Sequence, residues 1–469
     1  MLSATLHSRY MAASTTELAS RVGGALGRNS TEWSTWTRHM QEQRWWPAGN
    51  TLLAGTQHAV RPNCAILPPV TDDNLRDTLA RARALWEARV GVGFDLGQCS
   101  DPLRALHALS EANADIPLGH RPQRGNMAVV PLGCPAAPAW VAAKATPDAA
   151  DALYNFNLSV TVESEEEWAR FGGVEGVLGD AARAAWSGGD PGVVFLDTLR
   201  RRAPYDYAAV TARHGPLTTV VPCGEQAMHA NESCSLGAVN LQADAHWKRV
   251  KNGASAGGAW ELQEDALAES VTQALRCLGR TLDIMDYAGD SALRRTSLSL
   301  ARVGLGVMGW ADVVRNRVGT EFASPAAHAT ARKMGSVFAA AAGADEFNRH
   351  ITTTCIQPTG GITLLTGNSG FGVEPMFSDA TRTAARDHVN SAVLWQRYVH
   401  NAVSKTVNLP PNATPEDVWR VFRHARACGL GLVSVYRAGS RGGQPMSVEH
   451  NGVSPPKGSG VCSRGGCPE

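Results

Sequence analysis

The stretch Val220-Val221-Pro222-Cys223-Gly224-Glu225-Gln226, followed by Glu232-Ser233-Cys234-Ser235-Leu236-Gly237-Ala238-Val239-Asn240-Leu241, decides how the rest of the chain is read. An apolar, β-type run leads into Pro222 and Gly224, which close a tight loop and set a cysteine two residues from a carboxylate. Such a loop holds a sulfur and a general base against one small substrate. Cys234 lies eleven positions after Cys223, so it can return close to it without being its helical neighbour. Cys223, Glu225 and Cys234 together point to redox or nucleophilic chemistry, whereas an isolated buried thiol is only a small hydrophobe.

At 469 residues, with 43% apolar and 19% charged, the chain is long enough to bury a large core. Its formal net charge is +1 and no long single-sign run occurs, which argues against nucleic-acid or membrane partners and for a small one. Residues 1–20 carry neither a basic start with an apolar run nor a small-residue cleavage site. No stretch approaches the ~18 apolar residues of a membrane span, so a cytoplasmic protein is expected. The ten cysteines are too dispersed for a disulfide scaffold. With no CxxC and no paired histidines beside Cys462 and Cys467, no metal site is expected.

Outward from the central stretch, residues 1–45 read as helical, and Asn63-Cys64-Ala65-Ile66-Leu67-Pro68 as a short strand followed by a helix over about 72–89. Residues 154–162 show period-two character, and Val193-Val194-Phe195-Leu196 is a continuous apolar run of the kind buried on both faces. Residues 200–215 read as a polar, irregular connection. Leu267, Val271, Leu275, Leu278, Leu282 and Met285 recur at helical spacing. Val303-Gly304-Leu305-Gly306-Val307-Met308-Gly309 matches GxGxxG, but it follows helical sequence outside any βαβ unit, so a dinucleotide fingerprint is rejected. In Pro358-Thr359-Gly360-Gly361-Ile362-Thr363, two glycines beside hydroxyl residues leave backbone N–H groups uncovered for an anion such as a diphosphate. Thr414 reads as the N-cap of a helix with Pro415 at its first position and Gly429 as its stop, and a strand follows over 432–437. From Gly442 the chain turns rich in Gly, Ser and Pro and carries Cys462 and Cys467, which predicts a flexible arm with a dithiol.

In order along the chain, these motifs resemble those of ribonucleotide reductase catalytic chains, especially the adenosylcobalamin-dependent class II. Pro222-Cys223-Gly224-Glu225 with Ser233-Cys234-Ser235-Leu236-Gly237 and Asn240-Leu241 is similar to the family's finger loop. Asn63-Cys64, Arg124-Gly125-Asn126-Met127, Asn155-Phe156-Asn157-Leu158-Ser159-Val160, Gly304-Leu305-Gly306-Val307-Met308-Gly309, Pro358-Thr359-Gly360, Gly372-Val373-Glu374-Pro375 and Asn401-Ala402-Val403-Ser404-Lys405-Thr406 resemble further family segments. The resemblance implies an α/β fold, a ten-stranded α/β barrel of two five-stranded parallel halves with the finger loop through its centre. The barrel would span 46–441, between a short helical segment at 1–45 and the arm at 442–469. It implies reduction of ribonucleotides to 2′-deoxyribonucleotides with adenosylcobalamin as cofactor. A thiyl radical at Cys223 would take the substrate's 3′ hydrogen, Glu225 would accept the 3′-hydroxyl proton, and Cys64 and Cys234 would finish as a disulfide. Cys462 and Cys467 would pass electrons from a thioredoxin- or glutaredoxin-like reductant. The implied substrate-binding residues are Asn63, Pro358, Thr359, Gly360, Gly361, Ile362 and Thr363, and the chain would act as a monomer or homodimer.

Four features qualify what is carried over. Val221 stands where the family's finger loops usually have an Asn that hydrogen-bonds the ribose, so Asn63, Asn157 or Ser159 takes over or turnover is low. Fewer residues than usual separate Gly93-Phe94 from Arg124, which makes a deoxynucleotide effector the least transferable property. About 45 residues precede the first motif, too few for an ATP cone, so no overall control by dATP is expected. Val435-Tyr436 replaces the Tyr-Tyr pair of a class I chain that needs a metal-containing radical-generating partner, which favours class II. A degenerate barrel that only binds nucleotides is the competing reading from a different functional class.

Overall fold

Short apolar runs bounded by Gly, Pro and Asn become strands, and the amphipathic stretches between them become helices that coat the strands' outer faces. The computed structural model describes residues 10–116, 125–250 and 259–440, with two further short strands at Val448–Glu449 and Gly452–Val453. Its strands are β1 (Trp45–Pro47), β2 (Cys64–Ile66), β3 (Gly91–Asp95), β4 (Asn126–Pro131), β5 (Phe156–Val162) and β6 (Gly192–Phe195). Next come β7 (Thr219–Val220), β8 (Ala227–Met228), β9 (Glu232–Asn240), β10 (Trp247–Val250) and β11 (Ala259–Leu262), then β12 (Val303–Met308), β13 (Thr406–Leu409) and β14 (Leu432–Arg437).

Strands β2 to β6 lie side by side in chain order, all parallel. In the second half β9 runs parallel to β12 and β13 parallel to β14. Residues 353–356 join them through main-chain bridges from Leu305 to Thr354 and from Ile356 to Val403. The halves meet antiparallel at two seams, β2 against β9 and β14 against β6, so the sheet closes on itself. The expected α/β barrel of two parallel halves is the one observed, with part of its second half held by isolated bridges rather than a full ladder.

Side chains alternate along a strand, and the two faces go to different clusters. Val92, Phe94, Ala128, Val130, Phe156, Leu158 and Val160 face outward into the large apolar cluster shared with the helices. The helix Glu264–Ile284 buries Leu267, Val271, Leu275, Leu278 and Leu282 there, as their spacing predicts. Burying each such side chain is worth roughly 1.5–3 kcal/mol. Inward-facing Met127, Val129, Val194 and Leu432 instead pack on Val220 and Ala227, so the β7–β8 hairpin lies inside the barrel. Gly93 makes room for it: a Cβ there would overlap the Val220 carbonyl oxygen.

The helices Thr15–Leu26 and Ser30–Gln41 are capped by Ser14 and Asn29 and place Leu18, Val22, Leu26, Trp36 and Met40 in the same large cluster as the barrel's coat. The capping-box helix is Pro415–Ala427, with Thr414 and Asp417 bonded reciprocally. One expectation is corrected. Residues 200–215 are not irregular throughout: 200–201 end the helix Leu196–Arg201 and 207–214 form the helix Tyr207–His214, capped by Asp206, with a short connection between them. That second helix buries none of its side chains, so no apolar period announced it. Among the described residues no helix is long and apolar enough to cross a membrane.

Candidate active site

The turn between β7 and β8 carries Pro222-Cys223-Gly224-Glu225. Val221 N–H donates to the Gln226 carbonyl at 2.9 Å and Gly224 N–H to the Val221 carbonyl at 2.8 Å. Gly224 sits at φ +80°, which only glycine adopts without strain. The surrounding strands hold the turn in place. Asn157 Nδ2 donates to the Pro222 carbonyl at 2.9 Å, Ala402 N–H to the Glu225 carbonyl at 3.1 Å, and the Asn401 amide brackets Ala227 with two bonds of 3.0 Å.

Cys223 is exposed at this turn, whereas Val221, Pro222, Gly224 and Glu225 are buried. Burial raises the Glu225 carboxyl from its ordinary range to about 7, and its Oε2 has no hydrogen-bond partner among the described residues. A carboxyl titrating near neutrality suits a general base. Cys64 and Cys234 are direct partners across the β2–β9 seam, and no disulfide joins them. A Cβ on Gly91 would lie 2.9 Å from Pro222 Cγ and 3.5 Å from Cys64 Sγ, so the Cys64 sulfur and the finger turn flank the same small residue.

Asn63 is placed beside this group, but its amide is engaged by the backbone at both ends, donating to Ala48 O and accepting from Leu236 N–H, each at 3.1 Å. Pro358 leads into Thr359, which sits in the left-handed region at φ +62° and heads the helix Gly360–Thr366 containing Gly361, Ile362 and Thr363. Thr359 Oγ1 accepts from Gly372 N–H at 2.9 Å and lies 2.8 Å from Thr363 Oγ1. Space above Gly360 is open. This loop follows the C-terminal end of a second-half strand, and because the halves run antiparallel it emerges at the barrel end where β2 and β3 begin. The finger turn and the loop therefore share one end of the barrel.

Three features had no clear sequence signal. The Tyr10 hydroxyl lies 2.3 Å from where a Cβ on Gly361 would stand, bringing the N-terminal segment to the glycine loop. Cys355, a lone cysteine after three threonines, is buried on the inner face with Ile66, Val221, Cys234 and Leu236. Gln226 Nε2 donates to its Sγ at 3.3 Å, and burial holds that thiol well above the usual range. Buried Lys405 pairs with Glu374 and lies 3.0 Å from His388 Nδ1. Cys462 and Cys467 lie outside the described residues, and among the described residues no group of His, Cys, Asp and Glu is placed to hold a metal ion.

Residues 173–344 match the family described as ribonucleotide reductase, barrel domain. The chain is 28% identical to a vitamin B12-dependent ribonucleoside-diphosphate reductase of Mycobacterium tuberculosis, over 86% of this chain and 71% of that protein. It is 25% identical to a protein of the same name from Thermoplasma acidophilum, over 86% of this chain and 64% of that one. In fold it is similar to the Actinobacillus ureae class Id ribonucleotide reductase alpha subunit, with a TM-score of 0.74 at 13% identity, covering 93% of this chain and 96% of that one.

Proposed function

Because the chain belongs to the ribonucleotide reductase catalytic chains, we propose that it reduces ribonucleotides to 2′-deoxyribonucleotides through a radical on Cys223. The observation that carries this reading is an exposed Cys223 on a hairpin inside the barrel, next to a buried carboxyl and a cross-strand cysteine pair. Cys223 as a thiyl radical removes the 3′ hydrogen of the ribose, and Glu225 takes the 3′-hydroxyl proton. The 2′-hydroxyl leaves as water with a proton from Cys64 or Cys234. The other of the two thiols supplies the hydrogen that replaces it at C2′, so the pair provides two electrons and becomes a disulfide, while Glu225 returns its proton to the 3′ oxygen and Cys223 its hydrogen to C3′. The glycine loop at 358–363 supports the substrate's phosphates.

The names of the sequence relatives support adenosylcobalamin as the radical source. Cys223 fits that cofactor, since its thiol is exposed at the barrel end rather than enclosed. Bound there, adenosylcobalamin would supply the radical chemistry that leaves Cys223 as a thiyl. Val435-Tyr436 offers one tyrosine where a relay from a partner chain would use two. Cys462 and Cys467 would re-reduce the internal disulfide and exchange with a thioredoxin- or glutaredoxin-like protein. A cytoplasmic setting suits these thiols, and a deoxynucleotide effector is the remaining partner the reading includes.

The test is anaerobic incubation of the four ribonucleotides, as di- and triphosphates, with a dithiol and with or without adenosylcobalamin. Deoxynucleotide formed only with the cofactor supports the proposal. Product formed only with a metal-loaded partner chain would make this a class I subunit, and no product under either condition would leave a nucleotide-binding barrel.

A further inference from the structure

Strand β5 is buried along its whole length except at Asn157. Phe156 and Leu158 face outward into the helical coat, so Asn157 between them faces the barrel interior. An exposed side chain on the inner face of a barrel strand marks a space inside that barrel end. Cys223 is exposed as well, and the two are adjacent, because Asn157 Nδ2 donates at 2.9 Å to the Pro222 carbonyl, the peptide group that leads into Cys223. A carboxamide has a second N–H and an acceptor oxygen, so one bond to the hairpin leaves groups for a ligand in that space.

The other polar candidates near the turn are otherwise committed. The Asn63 amide is bonded to backbone at both ends, and Ser159 is buried, 4% exposed, against Gly192 of β6. Val221 is fully buried and has no polar side-chain atom.

Resting on the ribonucleotide reading above, we propose that Asn157 hydrogen-bonds a hydroxyl of the substrate ribose and sets the sugar against Cys223. It is thus a substrate-contacting residue that distinguishes a ribose from a sugar lacking that hydroxyl.

The experiment is calorimetric binding of a ribonucleoside diphosphate and its 2′-deoxy and 3′-deoxy analogues to the full chain and to Asn157→Ala, without cofactor or turnover. Losing one hydrogen bond to a hydroxyl is expected to weaken the ribonucleotide about two- to tenfold while one deoxy analogue keeps its affinity, so that discrimination disappears. Asn157→Asp, which keeps an acceptor but cannot donate to Pro222, separates the sugar contact from support of the hairpin. If it retains discrimination that the alanine variant loses, the proposal stands. Equal weakening of all three nucleotides in Asn157→Ala, or unchanged discrimination, overturns it. A wild-type chain that binds ribonucleotides selectively but never reduces them defeats the functional reading instead, and the two failures stay distinguishable.

Discussion

Cys64 and Cys234 stand directly opposite one another across the antiparallel seam that joins the two halves of the barrel. Direct partners in such a ladder have Cα atoms about 4.5–5.5 Å apart, inside the range a disulfide spans, so the pair can oxidise without moving either strand. Cys64→Ser and Cys234→Ser are each expected to abolish sustained turnover and leave nucleotide affinity unchanged. Steady-state assays beside calorimetric titrations check this, and a variant that turns over normally would remove the pair from the chemistry.

Glu225 predicts two pH dependences. Its carboxyl titrates near the ordinary 4.5 in the unfolded chain and near about 7 in the folded one. Between those values the folded state holds the proton more tightly, so stability falls as pH rises through this window and levels off above it. The loss is on the order of 3 kcal/mol. Glu225→Gln should lack that fall in urea unfolding at pH 5 and pH 8. Turnover, which needs the carboxylate as base, should rise through about pH 7 in the wild type. A rate independent of pH across neutrality would count against Glu225 as the base.

Gly93 is where the hairpin and the barrel wall approach most closely. In Gly93→Ala the added methyl meets the Val220 carbonyl, which must shift. Overpacking of this kind typically costs 1–3 kcal/mol. Activity is expected to fall by more than stability alone explains, because the displaced strand carries Cys223 and Glu225. Thermal unfolding and turnover measured together test this, and a stable, fully active variant would contradict the tight fit.

At the other end of the hairpin, Arg302 and Glu232 form a salt bridge of 2.5 Å with side chains 1% and 0% exposed. Arg302 also donates to Thr352 Oγ1 at 2.9 Å. Arg302→Met leaves a buried carboxylate without its cation and should cost about 3–5 kcal/mol. Replacing both, as Glu232→Leu with Arg302→Met, should recover much of that loss. Chemical denaturation of the two variants decides, and a double variant as unstable as the single would show that the pair is itself stabilising.

Much of the fold was legible locally. Val193-Val194-Phe195 reads as a strand because it is apolar on both faces, and the helix Glu264–Ile284 announces itself by its stripe. Strand β9 is harder, since Glu232, Ser233 and Ser235 look solvent-facing, yet all are buried. Arg302 satisfies Glu232 and Ser297 satisfies Ser233, partners contributed by distant stretches of chain. The site shows the same division. The Cys223 turn could be read from Pro222 and Gly224, whereas the facing of Cys64 and Cys234 is a matter of strand register. The two backbone bonds of the Asn63 amide likewise come from Ala48 and Leu236, which no local pattern names. Tyr10 over Gly361 and Cys355 beneath Gln226 are tertiary contacts that no local pattern encodes.

The most direct measurement is a reaction without external reductant. Reduced wild-type chain, ribonucleotide and adenosylcobalamin are mixed anaerobically, deoxynucleotide is counted per chain, and the cysteines are mapped by mass spectrometry. The account predicts product in an amount stoichiometric with the chain, a disulfide between Cys64 and Cys234 or one passed on to Cys462 and Cys467, and neither from Cys223→Ala. Product from the Cys223→Ala chain, or product with every one of these thiols still reduced, would contradict it.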